Sequence, residues 1–516
     1  MKKTLSYIKR HRTAFIIVLF FLFTTWMQGC QSFFYASHKL HAAVFVSCIL
    51  IYFTVCYFCS RKKQFQTEDK IFLITLGGIL LRSFYILFTG LYDRQHDGGT
   101  FSSLSDDLIN IGHLGYVEFL CKFGHIPEFS PYEIFSYYHP PVHHILASLF
   151  IELQLLLGVT EKLAFENIQA LTGLYSALCL PLMYAILKKL NLKDSNICIA
   201  FALLTFHPGM IYMSASINND MLCTLMTLLC FYFGLCWMKE KTFGNLMKIA
   251  LSLGIGMITK LNCSVMAFPL AAIFLMDFIE TLKKKKEDST VRIWPMIRNY
   301  LIFGIVTASI GLSWVMRNLI KFGDQPGVPV ATEESVQYTG NFSLWQLFGI
   351  PSSLRMDLPF HTTYARDFCN SWLILFRTSI FAETNPVDLP DVMFALCQFA
   401  LLLAMILGCS LFVITILMEI REIKKGDREL GIYLLTGYIF VIITFIAFII
   451  KYPFTCSADF RYVVIGLVMN AVAYLQFSDK TRISSRAHAV TLKILNYLLL
   501  LFLCLITSIF VLWNQW

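Results

Sequence analysis

Long apolar runs constrain the fold of this 516-residue chain more than any other feature. The hydrocarbon core of a bilayer takes roughly 20 apolar residues per helix, and runs near that length recur from one end of the chain to the other. The composition agrees, because 57% of the residues are hydrophobic and 15% are charged, and the mean hydropathy is +0.64. An ordinary soluble domain is far more polar, so the chain is predicted to be an integral membrane protein.

The apolar runs predict about thirteen membrane-spanning helices. Two of them, 246–259 and 461–477, are short. In chain order the runs cover approximately 13–29, 41–59, 71–91, 163–187, 196–214, 221–238, 246–259, 263–282, 297–316, 393–418, 430–450, 461–477 and 490–512.

Lysine and arginine gather in every second gap between these runs. Short cytoplasmic loops collect these residues, so the basic gaps are assigned to the cytoplasm. The clusters lie at 2–12, 61–63, 188–193, 239–241, 283–286, 421–425 and 480–486. The net charge of +9 is then mainly a topology signal. A nucleic-acid partner is not expected, because it would need one continuous basic face on a soluble domain.

The other gaps are assigned to the extracytoplasmic side, and two of them, 92–162 and 317–392, are long enough for a solvent-facing site. We divide the chain into two N-terminal transmembrane helices (1–70), a transmembrane core with both long loops (71–477) and a C-terminal transmembrane helix (478–516).

The N-terminus has a basic start, an apolar run and "MQGC" ending at Cys30, as a secretory signal does. We predict an uncleaved first span, because the residues before Cys30 fit a lipoprotein cleavage site poorly. The sixteen cysteines lie mostly in apolar runs, where Cys packs as a small hydrophobe. Neither a disulfide framework nor a structural zinc site is expected.

The first long loop opens with "YDRQHDGG", directly after an apolar run that ends at Leu91. Carboxylates at a membrane boundary are costly unless they are solvated, paired or used. Asp97 is followed by Gly98 and Gly99, which leave room for another backbone or a ligand to approach. A solvated acid at a helix end explains Asp97 equally well.

Histidines cluster further along the same loop, at His113, His125, His139, His143 and His144. Residues 114–123 are predicted to form an amphipathic helix along the interface. Pro140 and Pro141 are predicted to begin the next helix, whose free N–H groups and positive dipole suit an anion such as phosphate. Aspartate and histidine also bind divalent cations, but the spacing is not diagnostic.

Polar residues from separate runs fall at predicted outer helix ends. They include Asn218, Asn219, Asp220, Lys260, Arg317, Asp459 and Arg461. Singly, such residues are usually solvated or snorkelling, and Arg461 could simply pair with Asp459. Converging on one face, the cations and the carboxylates of the first loop would form a base and an anion clamp, which suits displacement of a phosphate.

As a set, these motifs resemble integral-membrane glycosyltransferases of the GT-C class. The branch is similar to dolichyl-phosphate-mannose protein mannosyltransferases and to the aminoarabinose transferase that modifies lipid A. The resemblance covers about 71–465 and rests on "GHLGYVEFL", "YYHPPVHHILA", "HPGMIYMSASINND", "MITKLNCSVMAFP" and "WVMRN". It implies an all-α polytopic GT-C fold with interfacial helices in two long extracytoplasmic loops. Two features depart from the branch: two additional spans come first, and Gly-Gly follows Asp97 where an acidic pair is common.

The resemblance also implies a reaction. Such enzymes pass a sugar from a polyprenyl-phosphate carrier to an acceptor hydroxyl, here of a protein, lipid or glycan, at the outer surface of a plasma membrane that we expect to be bacterial. Asp97 matches the catalytic base. The residues expected around the substrates are Asp93, His96, His113, His139, His143, His144, Lys260, Arg317 and Arg461. No cofactor is required, because the donor carries its own leaving group; a divalent cation is compatible with the site.

Two other functions stay open. A transporter or flippase of a lipid-linked sugar predicts charges near mid-span and an internal repeat, and no repeat is recognisable in the sequence. A non-catalytic assembly partner would use the loops for binding alone. The second long loop is aromatic, and its length is typical of functional loops or lids, so we expect it to cover the acceptor side.

Overall fold

The computed structural model describes residues 13–14, 16–25, 38–61, 65–92, 98–190, 196–327, 338–350, 369–382, 389–479 and 485–513. Within these ranges the elements are helices, with one isolated antiparallel bridge between Tyr338 and Phe454. The α-helices are α1 Ile16–Thr25, α2 His38–Ser60, α3 Thr67–Phe88, α4 Gly112–Phe123, α5 Val142–Leu156, α6 Glu161–Glu166, α7 Ile168–Lys189, α8 Ile197–Phe206, α9 Pro208–Tyr212, α10 Asp220–Lys239, α11 Phe243–Thr259, α12 Ala267–Glu287, α13 Trp294–Gly311, α14 Ser313–Phe322, α15 Leu344–Phe348, α16 Ser371–Phe381, α17 Asp391–Lys425, α18 Arg428–Lys451, α19 Val464–Ser478 and α20 Arg486–Trp513. The predicted all-α class is confirmed.

Among the described residues, 8 helical segments are long and apolar enough to cross a membrane, or up to 10 if each of two bent pairs is one span. The bent pairs are α8–α9, with an angle of 50°, and α13–α14, with an angle of 57°. The two short runs predicted from the sequence form α11, with 17 residues, and α19, with 15. The membrane class is confirmed, whereas the number thirteen and the division into three regions stay predictions.

The helices differ in how much of their surface the protein covers. α10 and α7 are largely buried inside the bundle, whereas α2 is almost entirely exposed, so its apolar surface is left for lipid. A cavity of about 440 Å³ lies between α1, α2 and α3. Its lining is almost wholly apolar and carries no charged side chain, so it is not where the chemistry described below takes place.

We call the end of the bundle that carries residues 98–160 the loop face, and the opposite end, where α10 finishes at Lys239, the basic face. The 20 residues of α10 connect the two, a distance of about 30 Å at the rise of an α-helix. Helix α4 matches the amphipathic helix predicted over 114–123, and α5 starts directly after Pro141 as predicted.

Two glycines bring the start of the first loop against α4. Gly99 and Gly112 have φ angles of +79° and +83°, which only glycine adopts at little cost. A Cβ on Gly99 would lie 2.1 Å from the carbonyl oxygen of Ile111. The amide of Leu114 donates to the Gly98 carbonyl at 2.9 Å. The close approach predicted for Gly98 and Gly99 is therefore made by another part of the backbone.

The described parts of the two long loops contact each other. Ser130 donates to Asp324 at 2.8 Å, and the Tyr132 hydroxyl donates to the Gly327 carbonyl at 3.0 Å. The Trp314 indole of α14 donates to the Tyr138 carbonyl at 3.2 Å. Helix α14 is thereby docked against the first loop.

Candidate active site

The beginning of α10 sets the position of one carboxylate. Asp220 is the first residue of this helix, and its amide donates to the Asn218 side chain at 3.0 Å. The side chain of Asn219, the residue just before Asp220, donates to the Thr259 carbonyl at 2.7 Å. Because α11 ends at Thr259, that bond holds the following residue, Lys260, beside the start of α10.

Two cations meet the carboxylate of Asp220. The Lys260 ammonium donates to Oδ1, and Nη1 of Arg461 lies 3.5 Å from Oδ2. The side-chain exposures of Asp220, Lys260 and Arg461 are 5%, 12% and 5%. Charges this deeply buried are stable only when they are paired. The three residues, named here the Asp220 cluster, carry two positive charges and one negative charge, and the carboxylate of Asp459, which is 4% exposed, lies next to Arg461.

Aromatic and backbone contacts fix the two cations. The ring of Tyr462 lies 5.1 Å from Nζ of Lys260 and 5.2 Å from the guanidinium carbon of Arg461, within the range of cation–π attraction. Asp459 accepts a hydrogen bond from the amide of Arg461 at 2.8 Å, so it caps the turn that presents the arginine. Two small cavities adjoin the cluster, and Asp220 and Arg461 line both.

Histidines of the first loop stack beside this cluster. Nδ1 of His113 lies 2.8 Å from Nε2 of His144, and the rings of His139 and Tyr116 extend the stack on either side. His143 bonds the Ile217 carbonyl at 2.9 Å, which joins α5 to the segment that leads into α10. Electrostatic interactions connect His113 and His143 to Asp220.

Burial changes the acid–base properties of α5. His143 and His144 are fully buried, and desolvation lowers the pKa of His143 to about 4. Desolvation, with the neighbouring His113 and His143, also holds the pKa of His144 well below its usual range. Both rings are therefore neutral near pH 7, and they serve as hydrogen-bonding groups rather than cations.

A second acid, Glu118 of α4, ties the first loop together. It is 1% exposed and accepts hydrogen bonds from Ser102, Ser103 and Asn110. It also pairs with Lys122 at 2.9 Å. Every one of these contacts lies within the loop, so Glu118 shapes the loop.

Lys122 also reaches Asp106, at 2.5 Å. The hydrogen bond from Lys122 lowers the pKa of the Asp106 carboxyl. Asp106, an acid of the first loop, is therefore engaged with a lysine.

The structure places the predicted site residues in different settings. Lys260 and Arg461 meet at Asp220, and His113, His139 and His144 stack together. Arg317 donates to the Pro127 carbonyl and to Asn318, and it lies over the Trp314 ring, so its described contacts anchor α14 to the first loop. Three predicted residues lie outside the described residues: Asp93, His96 and Asp97. The functional roles of all of these residues stay predictions.

Asp220 was missing from the predicted substrate-binding set, although the sequence placed it at an outer helix end. A signal existed, since "INND" opens one helix and "TKLN" closes another. A local pair with Asp459 was the alternative considered for Arg461, and the structure adds that Asp459 caps the backbone at Arg461. Within the described parts of the chain, no group of three His, Cys, Asp or Glu side chains is arranged to hold a metal ion. A divalent cation stays a prediction.

Fold and site together define a polytopic membrane protein with a buried charge cluster where helices end at the loop face. Residues 138–304 match the family model described as dolichyl-phosphate-mannose-protein mannosyltransferase. The resemblance to GT-C class membrane glycosyltransferases is thereby confirmed, and the match supports glycosyltransferase activity. The matched residues include His139, Asp220 and Lys260, whereas Asp97 and Arg461 lie outside them.

Two solved structures also show similarity. ArnT from Cupriavidus metallidurans in the apo state is 12% identical, with 79% of this chain and 76% of that chain covered and a TM-score of 0.34. ArnT from Cupriavidus metallidurans bound to undecaprenyl phosphate is 14% identical, with 80% and 77% covered and a TM-score of 0.32. Scores this low do not establish a shared overall arrangement. The search of curated proteins found no match.

Proposed function

We propose that this protein transfers a sugar from a polyprenyl-phosphate-linked donor to an acceptor on the extracytoplasmic side of the membrane. The observation that carries the proposal is the Asp220 cluster, which holds two buried cations around one carboxylate at the ends of membrane helices. A lipid-linked phosphate reaches such a position from the bilayer. Its oxygens are bound by Arg through a planar fork of N–H donors and by Lys through a point charge.

The reaction is direct displacement at the anomeric carbon. A carboxylate of the first loop, Asp97 by resemblance, removes the proton of the acceptor hydroxyl as that oxygen attacks the sugar. The bond from the anomeric carbon to the phosphate oxygen breaks, and the polyprenyl phosphate leaves with the bonding electrons. Lys260 and Arg461 stabilise the charge on that phosphate, while Asp220 keeps both cations in place before the donor binds.

The neighbouring groups support this assignment of roles. The amide of Leu114 donates to the Gly98 carbonyl and the amide of Thr100 donates to the Ile111 carbonyl, so residues 98–100 of the first loop lie beside His113. His113 in turn interacts electrostatically with Asp220. A base from this loop and a phosphate at Lys260 would then act on the same sugar. Arg317 remains a candidate for the donor site at the rim.

Purified protein in lipid nanodiscs tests the donor class directly. Binding of a polyprenyl phosphate and transfer from a polyprenyl-phosphate sugar are measured for the wild type, Asp97→Asn, Arg461→Lys and the control Asp107→Asn. Asp97→Asn should lower transfer by roughly 100-fold with donor binding largely kept. Arg461→Lys should weaken donor use in part, because the bidentate geometry is lost.

Asp107→Asn should behave like the wild type, since Asp107 is an exposed acid of the same loop. Near-normal transfer by Asp97→Asn would move the base to Asp93, Asp106 or Asp107, and a wild-type rate for Asp107→Asn would exclude the last of these. Wild-type protein that binds no such lipid would refute the donor class. Movement of a lipid-linked sugar across the membrane of vesicles that contain the protein, without transfer of the sugar, would favour the transporter.

A further inference from the structure

Arg82 is an arginine buried inside the helix bundle. It lies six residues before the end of α3, about 9 Å along the helix from that end, and it is 0% exposed. An ionisable side chain at this depth is costly unless its charge is compensated. Among the residues that the structure describes, no carboxylate forms an ion pair with it. The compensation must come from other groups.

The partners of Arg82 are backbone carbonyls and one hydroxyl. Nη1 donates to the carbonyls of Gly78 and Thr205, each at 3.0 Å, and Nε donates to Ser176 at 2.8 Å. Thr205 is in the last turn of α8, where carbonyl groups lack donors from their own helix. Pro208 cannot supply one, because proline has no N–H. The negative end of the α8 dipole therefore faces the guanidinium, which is a favourable place for a cation.

The same guanidinium contacts both sides of a bend. Helices α8 and α9 meet at 50°, and Arg82 reaches the α8 side through the Thr205 carbonyl. Its partner Ser176 donates in turn to the Met210 carbonyl of α9 at 3.5 Å. Residues 213–219 then lead from α9 to Asp220.

Helix α3 is close enough to α8 for these bonds because of Gly78. A Cβ at Gly78 would lie 2.2 Å from Cγ2 of Thr205 and 3.3 Å from Nη1 of Arg82. A side chain there must displace the Thr205 side chain or move the two helices apart. The glycine and the arginine, one turn apart on α3, therefore act on the same helix end.

We propose that Arg82 is a positioning residue that fixes the α8–α9 bend and so sets the path of the segment that carries Asp220 to the loop face. It does so by donating to the open carbonyl end of α8 and, through Ser176, by linking to α9. Its effect on transfer rests on the proposed function, whereas its effect on the backbone does not.

The test compares Arg82→Gln, Arg82→Lys and Gly78→Ala with the control Ser83→Ala in the full-length protein in nanodiscs. Ser83 is the buried neighbour of Arg82 and bonds only its own helix, at Ile79. Backbone hydrogen exchange across 205–219 is measured, together with kcat and KM for transfer from a polyprenyl-phosphate sugar. We expect Arg82→Gln to speed exchange there and to lower kcat by roughly 10- to 100-fold.

Arg82→Lys should recover part of both readouts, since an ammonium can donate to the Thr205 carbonyl but not to all three partners. Gly78→Ala should speed exchange in the same segment with Arg82 intact, and Ser83→Ala should match the wild type. If wild-type protein transfers no sugar, the proposed function fails, and exchange alone decides the role of Arg82.

If Arg82→Gln cannot be purified, Gly78→Ala decides: faster exchange over 205–219 supports the proposal, and unchanged exchange overturns it. Arg82→Lys with wild-type exchange and kinetics, beside an Arg82→Gln that does not fold, would also overturn it, because the arginine would then supply only a buried positive charge.

Discussion

The two faces of the bundle each hold a three-residue charge cluster, and the two clusters have opposite composition. At the loop face one carboxylate, Asp220, lies between two cations. At the basic face one ammonium, Lys241, lies 3.0 Å from Asp277 and 3.1 Å from Glu429. The first cluster therefore offers two cations to a phosphate, whereas the second offers one ammonium that two carboxylates already share.

The clusters also differ in burial and in the backbone that carries them. Side-chain exposures are 33%, 17% and 23% for Lys241, Asp277 and Glu429, so water screens this cluster. Lys241 joins the turn between α10 and α11 to α12 and α18, as a structural contact does. The Asp220 cluster lies at helix breaks and is almost dry, where electrostatic interactions are strong and an unpaired charge is costly. A buried charge cluster on irregular backbone is the arrangement expected of a binding site.

The largest effect should come from removing the lysine of each cluster. Lys260→Met is expected to lower kcat/KM for a polyprenyl-phosphate sugar by roughly 100-fold, since a preorganised donor to the leaving group is lost. Lys241→Met should reduce the thermal unfolding midpoint, because two carboxylates lose their shared partner, with transfer kept near the wild-type rate. Rates and unfolding midpoints are measured for both variants. Equal losses of transfer would remove the functional distinction between the clusters.

A smaller effect is expected from the glycines that allow irregular backbone. Gly99→Ala should destabilise the protein more than Gly124→Ala, although both glycines have positive φ angles. A Cβ at Gly99 would clash with the Ile111 carbonyl, whereas a Cβ at Gly124 would meet nothing within 4 Å. The left-handed backbone alone costs Gly124→Ala about 1–2 kcal/mol. At the basic face, Gly244→Ala meets open space within α11 and should stabilise by about 0.5–1 kcal/mol. Unfolding midpoints rank the three variants, and a Gly99→Ala no worse than Gly124→Ala would contradict the packing at the loop face.

The two faces should also respond to pH in opposite directions. Burial lowers the pKa of His143 from 6.5 to about 4, so an opened loop binds a proton that the folded loop excludes. Stability of the loop face should therefore fall as the pH drops from 6.5 towards 4. At the basic face, burial alone would lower the pKa of Lys241, but its hydrogen bonds to Asp277 and Glu429 raise that pKa. The stability from Lys241 is present below the pKa of the unfolded ammonium and is lost as the pH rises through the folded value.

Hydrogen exchange over 142–156 and 239–243, corrected for the intrinsic effect of pH, measures this contrast. His143→Gln should weaken the acid response of the first peptide, of which His144 keeps a part, without changing the alkaline response of the second. If lowering the pH sped exchange over 239–243 before it sped exchange over 142–156, groups other than His143 would control the acid response of the loop face.

The smallest effects are expected from exposed ion pairs. Glu68 and Lys188 lie 3.5 Å apart with side-chain exposures of 55% and 62%, and Glu68→Gln should change stability by about 0.5 kcal/mol or less. Asp106→Asn should cost somewhat more, because its partner Lys122 is only 4% exposed. Unfolding midpoints at low and high salt measure both, and salt should reduce the effect at Glu68 more. A large loss from Glu68→Gln would mean that surface charges matter as much as buried ones.

Much of the fold could be predicted because each local pattern has one stable outcome in a membrane. The amphipathic pattern over 114–123 formed α4, and Pro141 directly precedes α5. The breaks were harder to predict. The run 196–214 was expected to be one span, yet it bends at Pro208 between α8 and α9. Helix α16, Ser371–Phe381, lies in what was expected to be an outer loop.

The sequence placed Lys260 and Arg461 in one predicted site because both fall at predicted outer helix ends, and the structure brings them together at Asp220. Their roles stay predictions. Asp220 was left out of the predicted substrate-binding set, and a local pair with Asp459 was considered as the alternative role of Arg461. In the structure the carboxylate of Asp459 caps a turn, and the guanidinium of Arg461 also reaches Asp220 on another helix.

By itself, the sequence determined the helical membrane class, since an apolar run in a bilayer must satisfy its own backbone hydrogen bonds. It also determined the expected orientation, through the lysines and arginines of alternate gaps. Only the tertiary structure decided that Asp220 would meet two cations, that His113 would bond His144, and that Arg82 would face the end of α8. Those contacts join residues distant in the chain, and they depend on how breaks such as Pro208 and Lys260 aim each helix end, which no local pattern encodes.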